Sequence, residues 1–300
     1  MLLSILANLI GFYGLIDLSS PSDNIINLNQ DHISYIERVY LSGPIKKNST
    51  SLGLDISANS AMVIDQEMDK VLWQKNSDEV HAIASITKLM TALVFLENNP
   101  GWDTEFKIST EDYREGGRRR IFNGEIIKVR DIFSTALIAS ENNAASALVR
   151  STGLSEEDFV KRMNERAIYL GMTNTIFYDP TGLNPENKST ASDLAKLVKA
   201  AFSREEIRNI TSSKEYEFNV INTGTHYLME NTNELLDSYL NISAGKTGFI
   251  DEAGYCLTSL VKYNGHEIYI IVLGSDSHFN RFQEVKALAT WTFDNYIWPE

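Results

Sequence analysis

The sequence predicts an α+β fold, an antiparallel sheet flanked by helices with a mainly helical subregion. Strand-length apolar runs stand at both ends of the folded part, while runs with helical period fill its middle. Asn264-Gly265 joins two of the late strands, and this pair is the strongest two-residue hairpin signal. Strands at both ends with helices between them bury their apolar faces as layers. With 300 residues, 43% hydrophobic and 22% charged, the chain has enough apolar material for a packed core.

The N-terminus opens with the apolar run Met1 to Ile16. It has no basic residue before it, no small-x-small cleavage site, and fewer than the roughly 20 residues that span a bilayer. Residues 1–17 read as a signal peptide or signal-anchor, the other reading being a buried N-terminal helix. Residues 18–58, rich in Ser, Asn, Asp and Pro, read as a tether, and residues 59–300 as one folded domain. Ala61-Met62-Val63-Ile64 and Val71-Leu72-Trp73, separated by polar Asp65 to Asp69, predict a hairpin.

Ala84 to Glu97 predicts a helix that sinks Leu89, Met90, Leu93, Val94 and Leu96 into a core. Asp103 to Arg130 is broken and polar, with turns at Gly116-Gly117 and Asn123-Gly124, and its Arg118-Arg119-Arg120 cluster reads as a solvated loop. Helical period returns at Ile132 to Ile138, halts at Ser140-Glu141-Asn142-Asn143 and resumes at Ala144 to Val149, so two helices meet at a polar joint. Further helices are expected at Glu156 to Leu170, stopped by Gly171, and at Ala191 to Phe202, capped by Ser189 or Thr190. Ile242 to Phe249, Gly254 to Tyr263 and Glu267 to Gly274 read as strands, and Asn280 to Trp298 as a closing helix.

The net charge of −13 argues against a nucleic-acid partner. A single cysteine, Cys256, excludes an intrachain disulfide and a cysteine-rich zinc site. The five histidines show no metal-ligand spacing, so neither a metal nor a cofactor is expected.

The chemistry gathers in three places. In Ser85-Ile86-Thr87-Lys88, a helical spacing of three sets the Lys88 amine over the Ser85 hydroxyl. Serine is a poor nucleophile at neutral pH until a nearby base takes its proton. Lys88 can be that base only if it is neutral part of the time, which burial and a neighbouring cation both favour. Lys246, in Lys246-Thr247-Gly248 on the first of the late strands, is the candidate second cation. Strand alternation gives Lys246 and Gly248 one face and Thr247 the other unless the strand twists, and Gly248 leaves room for a close approach. The third place is the polar joint at Ser140 to Asn143.

Each motif alone is weak. Ser-x-x-Lys recurs at Ser259 to Lys262, on a predicted strand, and a literal Ser-Asp-Asn stands at Ser22 to Asn24 in the tether. Their order and context carry more: Ser-x-x-Lys at a helix start, Ser-x-Asn at a helix joint, Lys-Thr-Gly on a strand. This set resembles the low-molecular-mass penicillin-binding proteins, the serine-type D-Ala-D-Ala carboxypeptidases and endopeptidases of bacterial cell walls, peptidase family S11-like. The likeness runs from about Asn59 to Tyr296 and takes in Phe177 to Leu183, Ser189-Thr190-Ala191 and Ala253 to Leu257.

The resemblance implies a β-lactamase/penicillin-binding transpeptidase-like fold for residues 59–300 and an exported, periplasmic or extracytoplasmic protein. Its substrates would be peptidoglycan stem peptides, with β-lactams as covalent inhibitors. It implies that Ser85 is acylated, that Lys88 is the base, and that Ser140 and Asn142 relay protons and position the substrate. Lys246, Thr247 and Gly248 would line the substrate site, with Lys246 and Thr247 facing the substrate carboxylate and Arg281 near it. The backbone N–H groups of Ser85 and Phe249 would form the oxyanion hole.

Departures from the family pattern sharpen the reading. Ser140-Glu141-Asn142 has Glu where carboxypeptidase members commonly have Gly, and with Asn231-Thr232-Asn233 it looks more like the subgroup that cuts D-Ala to diaminopimelate crosslinks. The C-terminal β-domain and amphipathic helix of many carboxypeptidases have no counterpart here, so membrane anchoring would fall to residues 1–17. No glutamate matches the deacylating residue of class A β-lactamases, which implies slow penicillin turnover. The alternative is a module that binds muropeptides or β-lactams without turnover, yet Ser85, Lys88, Ser140, Asn142 and Lys246 are all present.

Overall fold

A computed structural model describes residues 43–47, 50–51 and 53–299. The expected signal or anchor segment, most of the expected tether and Ser22 to Asn24 lie outside the described residues. In chain order, β1 (Ile45–Lys46) is followed by β2 (Ser60–Asp65), β3 (Val71–Lys75) and β4 (His81–Ala82). A single 3-10 turn, Ala84–Ile86, leads into α1 (Thr87–Glu97). Then come β5 (Glu105–Lys107), β6 (Ile126–Lys128), α2 (Val129–Ile138), α3 (Asn142–Ser151) and α4 (Glu156–Tyr169). After β7 (Lys188–Ser189), α5 (Ala191–Phe202) and α6 (Glu205–Ser212) stand β8 (Glu215–Asn219) and β9 (His226–Glu230). The chain closes with β10 (Asn241–Ile250), β11 (Gly254–Tyr263), β12 (His266–Ser275), α7 (His278–Asn295) and β13 (Tyr296–Ile297).

The main sheet has five antiparallel strands in the order β10-β11-β12-β2-β3. Side chains alternate between its faces. Ala61, Val63, Ile268, Ile270 and Val272 pack with Phe282, Val285, Leu288 and Ala289 of α7, whereas Met62, Ile64, Tyr269, Ile271 and Leu273 join the core of the helical body. Both faces are therefore covered, and β2 is buried at every position. Asn264 and Gly265 both have positive φ, 49° and 89°, as a two-residue hairpin turn between β11 and β12 requires.

Local signals fix the helix ends. Thr190 caps α5 by accepting from Asp193 N at 3.0 Å, and Gly171, φ 71°, terminates α4. Glu141 caps α3, accepting from Ala144 N.

Several elements differ from the sequence expectations. The packed body starts before residue 59: β1 pairs with β13, and Ile56 and Ala58 are buried beside α7, so the end of the expected tether is part of the fold. The polar stretch after Asp103 contains the β5–β6 ribbon, and α6 and the β8–β9 hairpin went unpredicted. Ribbons of two or three residues are too short to show a period. The closing helix ends at Asn295, and Tyr296–Ile297 turns into the strand that meets β1.

Candidate active site

Ser85 stands on the 3-10 turn rather than within α1, and Lys88 lies in the first turn of that helix. The intended juxtaposition survives: Lys88 Nζ is 2.9 Å from Ser85 Oγ. The same amine donates to Asn142 Oδ1 at 2.7 Å and to the Thr181 carbonyl at 2.7 Å, so its three N–H bonds are all matched. Lys88 is fully buried. Burial brings its pKa from the ordinary 10.5 down to about 8, and the carboxylates of Asp179 and Glu141 hold it from falling further.

Two glycines let the chain close round the nucleophile. A Cβ at Gly182, whose φ is +84°, would lie 2.1 Å from the Ala84 carbonyl oxygen and 2.9 Å from Ser85 N. On the other side, a Cβ at Gly248 would lie 3.1 Å from both Ile83 O and Ser85 N. The turn is itself strained, since Ala84 has φ 46°.

The loop that carries Gly182 is organised by one carboxylate. Asp179 Oδ1 accepts from Thr181 N at 2.6 Å and Gly182 N at 2.5 Å, while Oδ2 accepts from Asn184 N at 2.6 Å. Asn187 ties this loop to α1, donating to Thr87 Oγ1 at 3.1 Å, and Thr91 Oγ1 donates to the Pro180 carbonyl at 2.6 Å. The loop therefore presents the Thr181 carbonyl to Lys88 from 93 positions along the chain. Sequence reasoning missed this acceptor. Asp-Pro-Thr-Gly announces a turn, but nothing in it says which side chain the turn will face.

At the joint between α2 and α3, Ser140 has φ 54°, and its Oγ accepts from Lys246 Nζ at 2.7 Å. Lys246 also reaches the Thr247 carbonyl at 3.1 Å. Burial lowers the Lys246 pKa well below the usual lysine range, and nearby Lys88 and Arg281 lower it further. A second cation does stand near Lys88, since Lys88 and Lys246 are close enough to repel one another, while burial is the main cause of the lowered Lys88 pKa. Asp179 and Glu141 oppose the lowering at Lys88, and Arg281 adds to it at Lys246.

Lys246 and Gly248 share the face toward the helical body, as the alternation predicts. Thr247 Oγ1 meets Thr232 Oγ1 at 2.5 Å and lines the cleft. β10 is an edge strand of the main sheet, so its outer backbone is open to that cleft. Arg281, from the first turn of α7, donates to the Gly248 carbonyl at 3.3 Å, and its buried Nε has no partner among the described residues. Burial lowers its pKa to about 10. Phe249 stacks on Tyr255 with ring centroids 4.3 Å apart.

Ser85, Ser140, Asn142, Thr247, Gly248, Phe249 and Arg281 all border one cavity of about 770 Å³. Lys88 and Lys246 lie beneath its floor, within reach of Ser85 and Ser140. Every candidate site residue that the family resemblance implies is therefore gathered here. So is a segment read as a solvated loop: Arg118 and Arg120 line the same cavity, together with Gly116 and Gly117.

A cavity with a serine hydroxyl on a buried lysine, open along a sheet edge, is equipped for acyl transfer. The comparisons with known proteins agree. The family model for D-alanyl-D-alanine carboxypeptidases of peptidase family S11 matches residues 46–277. A D-alanyl-D-alanine endopeptidase of Pseudomonas aeruginosa is 35% identical over 253 residues, covering 83% of this chain and 82% of the relative. The D-alanyl-D-alanine carboxypeptidase DacF of Bacillus subtilis is 35% identical over 245 residues, 80% of this chain and 63% of that one. Penicillin-binding protein D2 of Listeria monocytogenes, solved in its cefotaxime-bound form, superposes with a TM-score of 0.71 at 32% identity, over 81% of this chain and 100% of that one. The chain belongs to peptidase family S11 and is a serine-type D-alanyl-D-alanine peptidase of the low-molecular-mass penicillin-binding class.

Proposed function

We propose that Ser85 is the acylated nucleophile and Lys88 its base, in an enzyme that trims or opens peptidoglycan stem peptides outside the cytoplasm. The observation that carries this is the fully buried Lys88 amine 2.9 Å from Ser85 Oγ. With a pKa of about 8, roughly a tenth of the enzyme holds neutral Lys88 at pH 7. In that form Ser85 Oγ–H gives its proton to Nζ as Oγ attacks the carbonyl between the terminal D-alanines. The C–N bond then breaks, and the leaving amine takes its proton through Ser140, which Lys246 orients. Water resolves the ester and restores the serine.

Backbone N–H groups of Ser85 and Phe249 hold the developing oxyanion, and such donors are typically worth about 2.7–4 kcal/mol each. Close approach of the Gly248 backbone to Ser85 N supports that placement. Thr247 and Arg281, with the Lys246 charge behind them, receive the carboxylate next to the scissile bond. The unpartnered Nε of Arg281 supports an anionic ligand.

A second reading, cleavage of D-Ala to diaminopimelate crosslinks, is favoured by the glutamate in Ser140-Glu141-Asn142. Glu141 is buried, caps α3 and accepts from Arg120 N at 3.4 Å, so it shapes the wall beside the nucleophile. Anchoring through residues 1–17 is proposed on their apolar composition; no helix among the described residues is long and apolar enough to cross a membrane.

The test is intact-protein mass after incubation with a fluorescent penicillin, then product analysis with a pentapeptide and a crosslinked muropeptide dimer. An adduct on Ser85 with release of D-alanine establishes the carboxypeptidase, and dimer cleavage alone the endopeptidase. A folded protein without an adduct overturns the assignment in favour of a non-catalytic binding module.

A further inference from the structure

The chain has a net charge of −13, yet the arginines of this domain are unevenly matched with acids. Arg114, Arg130, Arg150, Arg166, Arg204 and Arg208 each form an ion pair with a carboxylate. Arg119 stacks over Tyr113 at 4.2 Å, and Arg162 donates to Asn98 at 2.8 Å. Arg118, Arg120 and Arg281 have no ion pair among the described residues, and all three line the cleft. The cleft's own acids, Glu234, Asp251 and Glu252, form no ion pair with them among the described residues, although Glu234 is close enough to favour the charged form of Arg281.

Arg281 belongs to the carboxylate site proposed above. Arg118 and Arg120 stand elsewhere, on the loop from Arg114 to Arg120. Three consecutive residues of the polar joint pin that loop. Asn143 Oδ1 accepts from Arg114 N at 2.9 Å, Asn142 Nδ2 donates to the Gly116 carbonyl at 3.0 Å, and Glu141 Oε1 accepts from Arg120 N at 3.4 Å. A loop fastened so closely to Asn142, which itself touches Lys88, keeps a fixed relation to the nucleophile. Arg120 is half-buried; among the described residues its guanidinium hydrogen-bonds only to the Ala139 carbonyl, at 3.4 Å, and Glu141 and Glu230 lie close enough to attract it. Arg118 is close enough to repel it. Two like charges facing an open cavity, neither of them in an ion pair among the described residues, complete their hydrogen bonds best on an anion, and guanidinium forks match carboxylates.

We infer that Arg118 and Arg120 form a second carboxylate subsite, which selects stem peptides carrying a free carboxylate away from the scissile bond. This rests on the D-alanyl-D-alanine peptidase reading. Stem peptides offer two sources of that group, an isoglutamyl residue and a dicarboxylic diamino acid. Glu141 becomes a positioning residue, holding the arginine loop and α3 in register.

The experiment compares pentapeptides that differ only in carrying carboxylate or carboxamide at each of those two positions. The ratio of kcat/KM for the diacid to that for the diamide is measured in the full chain, in Arg118→Gln and in Arg118→Gln/Arg120→Gln. In the unmodified protein the ratio is about ten or more, seated mainly in KM, since a hydrogen-bonded charge pair contributes about that much. It falls as salt is raised, because Arg118 is exposed. The double variant brings the ratio close to one, Arg118→Gln brings it part of the way, and the amide that by itself removes the preference identifies the source.

A ratio near one in the unmodified protein, or a ratio that persists in the double variant, overturns the inference. Penicillin adduct on Ser85 is measured in parallel for each protein. Its absence from the unmodified chain overturns the peptidase assignment instead, so the two failures are distinguishable.

Discussion

Each wall of the cleft buries a lysine, and the two repel one another but are held in different company. Lys88, on the helical wall, has three oxygen acceptors and feels two carboxylates. Lys246, on the sheet wall, has two acceptors and, besides Lys88, feels the cation Arg281. Depth is the same, so the surroundings decide what each can do. Lys88 is left with a pKa of about 8, suited to accepting a proton near neutrality. Lys246 feels the charge of Arg281, and a bound carboxylate nearby would favour its charged form. Under the proposed roles, the helical wall handles protons for any acylating compound, and the sheet wall senses the carboxylate.

The sharpest way to break this contrast is at the nucleophile. Ser85→Ala abolishes the penicillin adduct in intact-mass analysis and leaves circular dichroism unchanged; a surviving adduct removes the assignment. Next in size, Lys88→Met slows acylation by about a hundred- to ten-thousandfold, the usual weight of a general base. The loss should be the same for penicillin and for peptide, because the helical wall does not read the carboxylate.

The pH dependence follows from the same lysine. In the unmodified enzyme the acylation rate rises with pH up to about 8 and then levels off, as Lys88 becomes neutral. Between about 8 and 10.5 the unfolded chain binds a proton that folded Lys88 does not, so this residue makes stability rise with pH across that window. Below it the buried charge costs about 3 kcal/mol. Thermal unfolding of Lys88→Met should therefore show a flatter dependence of Tm on pH from 8 upward.

Gly182→Ala is predicted to cost about 2–3 kcal/mol of stability, because its Cβ meets backbone and its φ is positive. Chemical denaturation measures this, and acylation should slow in parallel as the Ser85 turn shifts. The smallest effect sharpens the contrast from the sheet side. Thr247→Val should lower kcat/KM about tenfold for peptides with a terminal carboxylate, and much less for esters that lack it.

Much of the fold was legible because its signals are local. Caps such as Thr190, stops such as Gly171 and the Asn264-Gly265 turn act within a few residues, and the long apolar strands of the sheet carry their own period. The β5–β6 ribbon and the pairing of β1 with β13 have no such period, since their strands have two or three residues. In the site, Ser85 and Lys88 were legible as neighbours on one helical face. Asp179 was not, because its carboxylate acts by folding its own loop so that Thr181 meets a lysine in a distant helix.

By itself the sequence determined the three motifs, their order, the helical and strand contexts that hold them, and the acyl-transfer chemistry they imply. Only the tertiary structure decided the electrostatics. Which cation or carboxylate faces a buried lysine depends on contacts between residues 50 or 100 positions apart, and Coulomb interactions act through space rather than along the chain. The same holds for Arg118 and Arg120. As a sequence they are a polar cluster in a broken stretch; as a structure, Glu141, Asn142 and Asn143 fasten their loop to the rim of the cleft.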